Sequence, residues 1–132
     1  MPELRCVQAF DASLLSAHYF GQRSWQRCEV YFADPTKLAG FTELDIRPSL
    51  KLSNHSPVGY EWGYGGSGPA QLALALLLHA TEDRKRALAL HQRFKFAYVG
   101  HFPSDSWQIC QSTILLWVNR IVATEKDALE DA

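Results

Sequence analysis

Three short stretches carry the side chains and backbone that could do chemistry. The first is Gly63-Tyr64-Gly65-Gly66-Ser67-Gly68-Pro69-Ala70-Gln71, a glycine-rich loop that feeds the apolar run Leu72 to Leu78. The first amides of a helix have no partner inside it, and glycines let a ligand approach the backbone, so this corner suits an anion. Amides near Gly65, Gly66 and Gly68, the Ser67 hydroxyl and the Gln71 amide would contact it. Arg23 or Lys51 would neutralise it, and Tyr60, Trp62 and Tyr64 would stack on or enclose it. The loop lacks the lysine of a phosphate-binding loop and the spacing of a dinucleotide fingerprint, and Pro69 stands where a hydrolase nucleophile elbow needs glycine. No catalytic motif is complete. The second stretch, Asn54-His55-Ser56, offers an imidazole that can act as acid or base near neutrality. With Glu61 and Ser67, His55 makes a weak acid/base candidate set. The third, Arg84 to Lys95, is a basic helix face that Glu82 and Asp83 offset.

Around these stretches the chain reads as one α+β domain, with a small mainly antiparallel sheet or set of extended segments packed with about three helices around a central apolar helix at 69–79. The domain spans 1–124, and 125–132 forms a frayed acidic tail. The chain has 132 residues, 47% apolar and 20% charged, which is enough to bury a core. Strands are expected at Leu4 to Phe10 and Arg27 to Phe32, with a short helix from an Asp11 cap through Tyr19. Only short extended pieces are expected at Leu44–Ile46 and Leu50–Leu52. Pro69 suits a first helical position, and Gln71 can fold back on the cap. Thr81 is the expected cap of a second helix reaching Tyr98. Trp107 and Ile109 lead into a third, with Ile114, Trp117, Val118 and Ile121 on its inner face.

The 13 basic and 14 acidic residues leave a net charge of −1, which speaks against a nucleic-acid partner. Cys6, Cys28 and Cys110 fit reduced thiols, no signal segment opens the chain, and no stretch suits a bilayer, so the expected location is cytoplasmic. The histidines and cysteines show no metal-ligand spacing, and neither metal nor cofactor is expected.

Several segments together resemble an uncharacterised domain family of bacterial, phage and mobile-element genomes. They are Tyr19-x-Gly21-x-Arg23, Ser49 to Leu52 with Asn54 to Pro57, the block Gly59 to Ala75, Phe94-Lys95, and Trp107 to Trp117. His79 stands where the resemblance leads one to expect an acidic residue. The resemblance transfers no activity; it implies a role in host interaction or in countering host defence. The sequence therefore points to a non-enzymatic binding protein that recognises an anionic, nucleotide-like small molecule or a host protein. Two alternatives stand beside it: a protein-interaction inhibitor module whose glycine block is purely structural, and a small hydrolase or transferase using His55, Glu61 and Ser67. The oligomeric state is open.

Overall fold

The computed structural model describes residues 16–25, 27–38 and 40–131. The order of elements is β1 His18–Arg23, β2 Cys28–Ala33, β3 Phe41–Glu43, α1 Arg47–Leu52, α2 Ser67–Thr81, α3 Arg84–Ala97, a 3-10 turn Val99–His101, β4 Ser106–Cys110 and α4 Gln111–Asp131. The fold is α+β: one antiparallel four-stranded sheet, ordered β3-β2-β1-β4, with the helices.

Side chains alternate across a strand, so Tyr19 and Gly21 of β1 face the core with Val30 of β2 and Trp107 and Ile109 of β4. Gly21 lies opposite Trp107 in the register, and a Cβ there would sit 2.4 Å from the indole. Only glycine allows that approach. On the other face, the rings of Phe20, Tyr31 and Phe41 gather with centroids 5.3–5.8 Å apart.

Helix α2 is the centre of the core. Its residues Gly68 to Leu77 are buried on every side, and it packs against α1, α3 and α4. Burying each of Leu72, Leu74, Leu76 and Leu77 contributes about 1.5–3 kcal/mol. At its far end the His79 ring packs 4.5 Å from that of Phe32, and Tyr19 Oη lies 2.7 Å from His79 Nδ1. Glu82, in the left-handed conformation, ends the helix, and the Asp83 carboxylate accepts from the Arg86 amide to cap α3. With only two residues between them, α2 and α3 form a helical hairpin, and the last turn of α3 lies beside the first turn of α2.

Several expectations need correcting. Tyr19 belongs to a strand, not to a helix end, because its ring fills the core between β2 and α2. The proposed strand at 4–10 and the Asp11 cap lie outside the described residues. Leu50–Leu52 is helical, with Pro48 admitted in the first turn, where it forfeits no helical hydrogen bond. Pro69 is the third residue of α2, after Ser67 and Gly68. Asp83 replaces Thr81 as the cap of α3; Thr81 closes α2, its hydroxyl donating to the Leu77 carbonyl. Trp107 and Ile109 lie in a strand, β4, and α4 runs from Gln111 to Asp131.

Candidate functional site

The glycine block joins the sheet side of the domain to the start of α2. Gly63 has φ +89°, a conformation that disfavours other residues, and its amide donates to the Val99 carbonyl at 3.0 Å. Gly68 is buried against Glu61: a Cβ there would stand 2.5 Å from Glu61 Cβ. Much of the glycine content is thus a demand of close packing. Helix α2 then begins without a side-chain cap and without an acidic residue in its first turn. Among the described residues its first amides, at Ser67 and Gly68, have no hydrogen-bond acceptor.

On one side of the block stands Arg23. Its guanidinium meets both carboxylate oxygens of Glu61 at 2.9 and 2.8 Å, donates to the Ser104 carbonyl at 2.9 Å and lies 3.1 Å from Cys28 Sγ. It also lies 5.0 Å from the centre of the Trp62 ring. Hydrogen bonding from Arg23 holds the Glu61 carboxyl below the usual carboxylate range. Burial, and then Glu61, push the Cys28 thiol up to about 11, so it stays protonated at neutral pH. Beyond Cys28 opens a groove of about 470 Å³ in which Arg27 and Arg47 are balanced by Glu43 and Asp45.

On the other side stands Lys95, in the last turn of α3. Only 9% of it is exposed, yet it has no hydrogen-bond or ion-pair partner among the described residues. Its Nζ lies 4.5 Å from the centre of the Phe96 ring. That ring in turn reaches within 3.7 Å of the Cβ position of Gly65, so the ring that Lys95 touches also borders the glycine corner. Tyr64 and Phe96, 51% and 65% exposed, form an aromatic rim there.

A third cluster adjoins Lys95. His91 Nδ1 lies 2.8 Å from the Leu88 carbonyl, which can only accept, so this nitrogen carries the proton and Nε2 presents its lone pair. That lone pair faces His55 Nε2 at 2.9 Å, and Ser53 Oγ lies 3.2 Å from the same His55 nitrogen. Burial, then His91 and Lys95, lower the His55 pKa. Gln71 pins this loop: its Oε1 accepts from the amides of His55 and Ser56 at 2.7 and 3.0 Å, and its Nε2 donates to Ser49 Oγ.

The chain belongs to the family of unknown function DUF6166. The family model matches residues 19–120, from the core tyrosine of β1 to the middle of α4, and so takes in the glycine block, Arg23, Lys95 and the histidine pair. No curated protein and no solved structure matches the chain.

In this DUF6166 domain the residues expected at one site fall into separate places. Gly65, Gly66, Ser67, Gly68 and Tyr64 do form the corner. Arg23 sits beside it but is occupied by Glu61; Lys51 is exposed on α1, where its charge is felt by Asp45. Gln71 is an internal strut. Trp62 is buried, its Nε1 donating to the Ser104 carbonyl, and the buried Tyr60 hydroxyl donates to the Leu44 carbonyl, so neither ring offers a face to a ligand. The catalytic candidates also separate. Glu61 is held by Arg23 and His55 by His91, while Ser67 is exposed at the start of α2, and no hydrogen bond links the three.

The sequence reading put Lys95 on a solvated basic helix face and assigned neither Phe96 nor His91 to the site. Their signal was the spacing His91-x-x-x-Lys95, one helical turn, inside a stretch that reads as a solvated basic face. Cys28 and Cys110 are free, and among the described residues no three His, Cys, Asp or Glu side chains form a metal site. Among those residues, no helix is long and apolar enough to cross a membrane.

Proposed function

We propose that this domain is a non-enzymatic binding protein that recognises an anionic small molecule at the glycine corner, with Lys95 rather than Arg23 or Lys51 as the neutralising cation. The observation that carries this reading is Lys95, without a carboxylate partner among the described residues, set against the Phe96 ring that borders the uncapped start of α2. The Lys95 ammonium has no carboxylate partner among the described residues, and an oxyanion bridging it to the α2 amides would satisfy both. Tyr64 and Phe96 would flank the ligand's uncharged part, which favours a nucleotide-like anion over a bare one. The resemblance to phage and mobile-element domains makes capture of a nucleotide signal, to the detriment of host defence, the role that fits this chemistry.

Amide shifts of labelled protein titrated with inorganic phosphate, sulfate and a nucleoside diphosphate test the reading. Shifts centred on Gly65 to Gly68, lost in Lys95→Met, are expected. Silence at those amides towards all three ligands at millimolar concentration would overturn it.

A second reading, a protein-interaction module, is favoured by the outward cluster of Phe20, Tyr31 and Phe41, of which Phe41 is 58% exposed. Clustered exposed aromatics suit a protein partner. This reading expects Phe41→Ser to abolish retention of a host protein that Lys95→Met still retains.

A further inference from the structure

The His55–His91 pair is unused by the binding chemistry so far described, yet it sits against the cation that this chemistry depends on. With ring centroids 5.0 Å apart and the Nε2 atoms 2.9 Å apart, the two nitrogens lie between the rings and face each other. That is the arrangement of one shared proton. His91 Nδ1–H is committed to the Leu88 carbonyl, so the neutral pair has its bridging proton on His55 and a free acceptor at His55 Nδ1. One more proton can enter at that Nδ1 without breaking the bridge, which then becomes a charge-assisted bond. A second extra proton would set N–H against N–H.

The charged and titratable groups that face His55 are His91 and Lys95, both on α3. Its own loop adds only the Ser53 hydroxyl, and α2 only the neutral Gln71 amide. Among the described residues no carboxylate is set there to favour the extra proton, and the Lys95 ammonium opposes it. A bound anion would reverse that balance, because it offsets Lys95 and adds an attractive charge beside the pair.

We propose that an oxyanion held beside Lys95 is bound together with one proton taken up by the His55–His91 pair, so that this domain holds its ligand more tightly as pH falls. The proposal rests on the anion-binding reading of the corner and assigns its regulation. Linkage fixes the sign: if the anion raises the proton affinity of the pair, protonation raises affinity for the anion by the same factor.

Sulfate is the suitable probe, because it stays fully ionised while the histidines titrate. The Cε1–H resonances of His55 and His91 are followed from about pH 5.5 to pH 8 with and without saturating sulfate. The pair's midpoint is expected to rise by about 0.5–1 unit, equivalent to an affinity about 3- to 10-fold higher at the acid end than at the basic end. His55→Gln, whose side chain is only partly buried, and independently His91→Gln are expected to bind sulfate with an affinity that no longer varies with pH, each checked for native folding by its amide spectrum. Sulfate binding of equal strength across the range in the unsubstituted protein would overturn the coupling and leave the corner intact as a site. Failure of both sulfate and phosphate to bind at any pH would overturn the site itself.

Discussion

Two cations flank the glycine block, and they differ in what surrounds them. Arg23 is saturated: Glu61 takes two of its donors, the Ser104 carbonyl another, and Trp62 covers its face. Lys95 is more deeply buried and has only an aromatic ring. Evolution of a stable fold rewards the first arrangement. The second leaves an ammonium with no anionic partner among the described residues, free to take one that arrives from outside. The arginine side is therefore read as structure and the lysine side as recognition, and substitutions on the two sides should give opposite patterns.

The largest effect is expected where the arginine side meets the helix. In Gly68→Ala the new Cβ would overlap Glu61 Cβ, so either Glu61 or the first turn of α2 must move. A loss of about 3 kcal/mol in urea-induced unfolding is expected. Sulfate binding should weaken along with it, since the displaced turn holds the corner amides. If stability were unchanged, the packing account of the glycine block would be wrong.

Next is Glu61→Gln, which removes the carboxylate and leaves Arg23 partly buried without a counter-charge. About 1–2 kcal/mol should be lost, with sulfate affinity unaltered because Lys95 is untouched. The pH dependence has a definite sign. The carboxyl is held below its ordinary range in the folded protein, so its contribution is complete above that range and is lost as pH falls from it through the folded value. The variant's unfolding curve should be flatter over that acid interval.

How much of this was legible in the chain depends on the range of the interaction. The central helix was readable because ten consecutive buried positions leave no polar face, and a pattern local in sequence needs no tertiary knowledge. The strand β1 was not, because Gly21 weakens strand propensity and is explained only by Trp107, a partner 86 positions away that meets it across the sheet. The corner itself was visible from Gly65 to Gly68. Its cation was not: Arg23 and Lys51 share the motif-rich half of the chain with the loop, whereas Lys95 comes to it only because α2 and α3 fold back as a hairpin. His91 and Phe96 arrive by the same turn. Gln71 illustrates the converse, since its place near the helix start suggested a local cap, while its two hydrogen-bonding ends serve the loop at 53–56 and Ser49 of α1.

Lys95→Met moves to the recognition side. Replacing an unpartnered ammonium with an apolar chain of similar length should change stability by no more than about 0.5–1 kcal/mol, in either direction, while sulfate affinity falls about tenfold or more. A large loss of stability without loss of binding would invert the comparison and make Lys95 the structural cation.

The smallest effect is also the most discriminating. Ser67 is exposed, and its hydroxyl makes no capping bond to the helix it begins. In Ser67→Asp a carboxylate would sit at the positive end of α2, where the dipole alone contributes about 0.3–1 kcal/mol of added stability. It would also act as an internal stand-in for the ligand, so sulfate binding should be lost as stability rises. Dipole and ammonium can be separated by repeating the substitution in the Lys95→Met background. If Lys95 faces the corner, part of the gain belongs to the attraction between the introduced carboxylate and the Lys95 ammonium, and the double-mutant cycle should return a coupling of about 0.5 kcal/mol. A gain of equal size with and without Lys95 would mean that the ammonium does not reach the corner, and the distinction between a filled arginine side and a waiting lysine side would fall.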